Sequence, residues 1–157
     1  MSNRSVLASL GLVALLSFSC GDDPLEPLTD PRDVTFAAEL NVDLDRMTRT
    51  SSGLYYEDIS VGTGTQATVG TEVDVLYSGW LPNGTLFDSR TTPASPFSFT
   101  LGLGQVIAGW DEGVSGMRVD GVRLLVIPPQ LGYGYSGRGT IPGNSVLVFR
   151  LQLLAVD

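Results

Sequence analysis

The residues that most often carry enzyme chemistry are present in this chain only in incomplete sets. Ser115 lies in Gly113-Val114-Ser115-Gly116, which does not complete the Gly-x-Ser-x-Gly elbow, and the chain has no histidine to serve as its base. Gly102-x-Gly104 is followed by Ile107 where a dinucleotide loop needs its third glycine, so that fingerprint fails. The carboxylate pairs Glu57-Asp58 and Asp111-Glu112 are adjacent in sequence, and neighbouring side chains diverge on a strand or a helix, which makes them poor acid/base partners. A single cysteine, Cys20, and no histidine nearly exclude a zinc site and allow no internal disulfide. What remains is apolar: Tyr77, Phe87, Phe97, Val106, Ile107, Trp110, Tyr133, Ile141 and Phe149, with Asp88 as a charged neighbour. Such a set builds either an ordinary core or a dry pocket for an apolar ligand. Composition alone favours the core.

The order of these residues favours the pocket. Tyr77-Ser78-Gly79, Phe87-Asp88-Ser89, Pro96-Phe97, Val106-Ile107-x-Gly109-Trp110-x-x-Gly113, Gly132-Tyr133-Gly134, Ile141-Pro142 and Leu147-Val148-Phe149 follow one another at nearly the spacing of the FKBP-type peptidyl-prolyl isomerases. The chain resembles that family from about Ser51 to its end at Asp157. The resemblance implies an α+β fold, a twisted antiparallel β-sheet wrapped around one short α-helix, and isomerisation of X-Pro bonds without a cofactor. It places Trp110 at the floor of the pocket, Tyr77, Phe87, Phe97, Tyr133 and Phe149 in its walls, and Val106, Ile107 and Ile141 on an aliphatic rim. In the same terms, the Ile107 N–H and the Tyr133 hydroxyl hold substrate carbonyls, Asp88 sits beside the twisting bond, and Tyr77 completes the catalytic set. Proline-containing exported or unfolded polypeptides are the implied substrates, and a macrolide such as rapamycin is an implied ligand. A binding module that keeps the pocket without catalysis is the alternative. Three departures from the pattern bear on specificity. Pro93 stands where many members have a basic residue, leaving Arg90 as the candidate ion-pair partner of Asp88. Leu131 replaces an aromatic, and a shortened loop from Tyr135 to Thr140 carries Arg138 in the neighbourhood of a common histidine.

The elements that must position these residues are mostly strands. Leu54 to Ile59 is a first strand candidate, and Val73, Val75 and Tyr77 alternate with polar neighbours as a half-buried strand does. Pro82-Asn83-Gly84 predicts a turn with Thr85 to Asp88 returning antiparallel. Phe97 and Phe99 alternate again. Trp110 to Met117 is the helix candidate, with Asp111 and Glu112 near its positive end. Val122 to Ile127 and Val146 to Val156 are apolar enough for central strands, separated by a long glycine- and tyrosine-rich loop from Pro128 to Ser145. Strand signals dominate and nothing alternates regularly as in a doubly wound fold.

At 157 residues the chain has room for one domain and an extra segment. Its net charge of -8, with nine arginines as the basic residues, argues against a nucleic-acid partner, which needs a basic face for phosphates. Residues 1–20 have the form of a targeting segment: Arg4, an apolar run from Val6 to Leu16, then small residues ending at Cys20. Leu16-Ser17-Phe18-Ser19-Cys20 resembles a bacterial lipoprotein cleavage site, which predicts lipidation of Cys20, a membrane anchor and a place in the cell envelope. A plain secretory signal with Cys20 incidental is the alternative. Residues 21–50 hold eight acids and three arginines with Pro24, Pro27 and Pro31, and are predicted as an acidic, proline-rich tether or arm. Phe36, Leu40, Leu44 and Met47 have near-helical spacing, yet Val42 and Leu44 alternate as in a strand. The expectation is a short arm along the edge of the domain, with a dimerisation helix as the other reading.

Overall fold

The structure is a computed structural model that describes residues 27–157. The predicted targeting segment with Cys20 lies outside the described residues. Within them the α+β expectation holds: seven strands form one sheet and a single α-helix packs against it. The strands are β1 (Thr48–Arg49), β2 (Tyr55–Ser60), β3 (Glu72–Trp80), β4 (Leu86–Arg90), β5 (Phe97–Thr100), β6 (Val122–Ile127) and β7 (Leu147–Val156), and α1 spans Ala108–Val114. Their order is β1-β2-β6-β7-β3-β4, and β5 also pairs with β3. Every pairing is antiparallel. The edge beside β3 is therefore made in two pieces, with β5 opposite Glu72 to Val75 and β4 opposite Tyr77 to Trp80.

Alternation along β3 and β7 turns Val73, Val75 and Tyr77 and Leu147, Phe149, Leu151 and Leu153 toward α1, where they bury one core with Trp110, Val114, Leu125 and Ile127. The helix sits close to the sheet because two of its positions lack side chains. A Cβ on Gly109 would lie 2.6 Å from Ile127 Cγ2, and one on Gly113 would lie 2.6 Å from Leu125 Cδ1. The helix is displaced from the predicted Trp110 to Met117. It ends at Val114 because Ser115 is extended (ψ 131°) and Gly116 takes a left-handed φ of 81°. The Gly116 N–H then donates to the Ala67 carbonyl and the Ala67 N–H to that of Met117, which ties this turn to the chain before β3.

The outer face of the sheet is covered as well. Residues 34–47 lie over Tyr55, Leu124, Val126, Val146 and Val148, with Leu40 and Met47 buried among them. Predicted as a solvated arm at the edge, this segment instead spans the face and ends in β1, paired with β2. No α-helix forms in it. Two single-turn 3-10 helices, Pro31–Asp33 and Ala38–Leu40, carry it, and Asn41 ends the second in the left-handed region at φ 52°. Asp30 begins the first by accepting the Arg32 N–H, and its carboxyl group is held down to about 2 by its side-chain bonds with Arg32. Asn144 fastens the start of the arm: its Oδ1 accepts the Thr29 N–H at 2.8 Å and its Nδ2 donates to the Pro27 carbonyl at 3.3 Å.

Candidate functional site

The cavity between α1, the inner face of the sheet and the loop after β6 has a volume of about 440 Å³. Tyr77, Phe87, Asp88, Phe97, Val106, Ile107, Trp110, Tyr133 and Phe149 line it. All of them were singled out in the sequence. Of that set Ile141 alone is displaced: it was expected on the rim, but it is buried in the core, where its backbone bonds to Arg138 in both directions at 2.9 Å. Gly104, Gln105 and Arg138 complete the lining. Arg138 had been marked only as a departure, and Gln105 carried no signal of its own.

Trp110 organises the aromatic wall. Its ring stands edge-on to Tyr77 (centroids 4.9 Å apart), Phe149 (5.2 Å) and Phe97 (5.8 Å), with Phe99 behind it at 5.9 Å. Phe87 meets Phe149 edge-on at 5.4 Å. Edge-to-face contacts of this kind are favourable because the positive edge of one ring meets the negative face of another, and they fix the rings' tilt. The indole Nε1–H is buried with no acceptor among the described residues.

Polar groups enter this wall at three points. The Tyr77 hydroxyl donates to Asp88 Oδ2 at 2.7 Å, across the β3–β4 pair in which Gly79 faces Asp88. Burial, together with that hydrogen bond and the carboxylate's charge, pushes the Tyr77 phenol up to about 12, so it is a fixed proton donor at neutral pH. Ile107, at the N-cap of α1, has an extended backbone (φ -61°, ψ 148°), and its carbonyl accepts from the Trp110 and Asp111 amides. Its own N–H has no acceptor among the described residues. The Tyr133 hydroxyl likewise makes no hydrogen bond there. Asp88 gains no ion pair from Arg90, contrary to the sequence expectation. The Arg90 guanidinium turns to the Pro96 carbonyl at 3.3 Å and lies over the Phe97 ring, Cζ 5.8 Å from its centroid.

The loop that delivers Val106 and Ile107 is held by Asp111. Its carboxylate oxygens accept the Gly102 and Gly104 N–H groups at 2.8 and 2.9 Å. Both glycines have positive φ, 81° and 67°, where a side chain would be strained. Gln105 Oε1 accepts the Thr100 N–H at 2.9 Å and fastens the same loop to β5. Asp111 is therefore a structural carboxylate, separated in role from Glu112, which accepts from the Ser52 hydroxyl.

The site is thus a cavity between an antiparallel sheet and one short helix, lined by six aromatic residues together with Asp88, Gln105 and Arg138. The family model described as FKBP-type peptidyl-prolyl cis-trans isomerase matches residues 63–154. An FK506-binding protein of Neisseria meningitidis serogroup B is 50% identical over 105 residues, which is 66% of this chain and 96% of the relative. FK506-binding protein 2 of Dictyostelium discoideum is 49% identical over 89 residues, 56% of this chain and 67% of the relative. Among solved structures, AtFKBP13 aligns with a TM-score of 0.66 at 36% identity, covering 71% of this chain and 99% of that one. FkpA from Escherichia coli aligns with a TM-score of 0.65 at 40% identity, covering 71% of this chain and 51% of that one. The chain belongs to the FKBP-type peptidyl-prolyl cis-trans isomerase family.

Proposed function

We propose that the cavity floored by Trp110 takes the proline of an X-Pro segment and accelerates rotation about the bond before it, in proteins that have been exported. One observation carries this reading: two donors without partners among the described residues, the Ile107 N–H and the Tyr133 hydroxyl, belong to residues lining a cavity that six aromatic residues wall. Rotation faces a barrier of about 18–20 kcal/mol because planarity preserves C–N double-bond character. Twisting removes that resonance and with it part of the amide's charge separation. An apolar enclosure therefore stabilises the twisted amide more than the planar one, and only such differential binding raises the rate. The two donors fix the chain on either side of the rotating bond, and Asp88, held by Tyr77, supplies the polar edge of the cavity. No proton needs to move, which suits a chain without histidine. Lowering the barrier by about 5 kcal/mol gives a few-thousandfold acceleration.

A protease-free assay on a proline tetrapeptide tests the reading. The wild-type protein is expected to accelerate exchange, and Tyr133→Phe to reduce kcat/KM about tenfold, the size of one hydrogen bond of about 1.4 kcal/mol. Exchange at the uncatalysed rate with wild-type protein sinks it. The relatives named for binding FK506 support a further part of the same reading, that a macrolide competes for this cavity. The targeting segment and Cys20 support a lipid anchor and an envelope location. Cys20→Ser is expected to move the protein from the membrane fraction to the soluble one, and continued membrane association contradicts the anchor.

A further inference from the structure

One guanidinium group lines the cavity and a second lies over the ring of a lining residue, although the chain's net charge is -8. Arg138 lines the cavity and lies over the Tyr133 ring, Cζ 5.7 Å from its centroid. Arg90 lies over the ring of Phe97, another lining residue. Neither forms an ion pair among the described residues. Asp88 is the one carboxylate in the lining, and it already accepts from Tyr77.

Both placements are built into the backbone. Arg138 sits in a tight turn closed by its reciprocal bonds to Ile141. The flanking Gly137 and Gly139 have φ of 64° and 57°, and a Cβ on Gly137 would lie 2.3 Å from the Ile141 carbonyl oxygen. Arg90 is held by the Pro96 carbonyl in the segment that joins β4 to β5. Each planar guanidinium keeps donors free for a carboxylate while one face rests on an aromatic ring.

We propose that Arg90 and Arg138 select X-Pro segments carrying an aspartate or glutamate immediately before or after the proline. This rests on the reading of the cavity as the prolyl site. Both arginines are exposed, so their attraction is screened and amounts to about a threefold preference. The protein's overall negative charge works in the opposite sense and acts on a peptide acid wherever it lies. A glutamate several residues from the proline therefore separates the two effects.

The experiment compares neutral-capped peptides with Glu or Gln before the proline, after it, or four residues away, using wild-type protein and an R90Q/R138Q double variant. The ratio of kcat/KM for Glu to that for Gln within each protein cancels any general loss of activity. For wild type at low salt the expected ratio is about three with Glu beside the proline at one or both positions, and one or less with the distant Glu. It is expected to fall to about one in the double variant, and in 1 M salt, where the screening length is about 3 Å. A wild-type ratio of one or less at both adjacent positions, or a ratio unchanged in the double variant, overturns the inference and leaves the prolyl site standing. No acceleration of any peptide by wild-type protein removes both.

Discussion

Gly79 offers a way to deform the cavity without touching a polar group. It lies in β3 against two of the lining rings, and a Cβ there would lie 2.5 Å from Phe149 Cε1, 2.8 Å from Phe87 Cζ and 2.9 Å from Phe149 Cδ1. Carbon atoms settle at about 3.5–4.0 Å, so Gly79→Ala forces the two rings to retreat by about 1 Å. Phe149 cannot retreat freely, since it is buried and stands edge-on to both Trp110 and Phe87. Overpacking of this kind costs about 1–3 kcal/mol, offset by about 0.5–1 kcal/mol from replacing glycine within a strand. The net expectation is a loss of about 1–2 kcal/mol, read as a fall in Tm of about 4–8 °C. The fold survives that loss, but a displacement of about 1 Å in a positioning wall can lower catalysis about a hundredfold. In a protease-free exchange assay at 25 °C, kcat/KM is therefore expected to fall at least tenfold while circular dichroism stays native. Adding Phe87→Leu removes the ring atom at 2.8 Å and is expected to recover part of the stability. A Gly79→Ala protein with unchanged kcat/KM and unchanged Tm would refute the claim that these rings form the working surface.

Three further outcomes follow from contacts elsewhere. Arg123 is buried, bonds Asp58 at 2.7 and 2.9 Å and donates to the Gly113 carbonyl at 3.0 Å, so Arg123→Met is expected to cost about 3 kcal/mol in urea denaturation. A loss below 1 kcal/mol would show that this link between α1 and the sheet is unimportant. Asn144 sits at φ 58°, which glycine tolerates, so Asn144→Gly removes only its bonds to Thr29 and Pro27. Faster amide exchange at Thr29 is expected, and unchanged protection contradicts the latch. The Tyr77 phenol, raised by burial and by Asp88, favours the folded state below the ordinary tyrosine value near 10, and that contribution is lost as pH rises from about 10 toward about 12. Ultraviolet titration is expected to show a late-ionising tyrosine that is absent from Tyr77→Phe; identical curves would contradict it.

Much of the fold was legible because its signals are local. Val122 to Ile127 reads as a nearly continuous apolar strand, interrupted at Arg123, and the structure gives the reason: α1 covers its inner face and residues 34–47 cover its outer face. The same covering was not legible from the arm itself. Phe36, Leu40, Leu44 and Met47 meet residues as distant as Leu124 and Val148, so their spacing follows the partner surface and neither a helical nor a strand period. The helix boundary shifted because Gly116 is drawn into bonds with the segment around Ala67, which no local propensity records. Within the site, the aromatic residues converge as their order suggested, but residue type could not separate a rim from a core position at Ile141. Nor could it give the direction of a long side chain, and Arg90 turned to Pro96 rather than to Asp88.

The central claim is that this cavity accelerates X-Pro rotation by enclosure and positioning, without acid/base chemistry. The dependence of kcat/KM on pH for a neutral proline tetrapeptide tests it most directly. Because the chain has no histidine and the Tyr77 phenol stays protonated until about 12, the profile is expected to lie well above the uncatalysed rate and to stay flat from pH 6 to 9. A tenfold change per pH unit within that range, or a rate equal to the uncatalysed one, would contradict it.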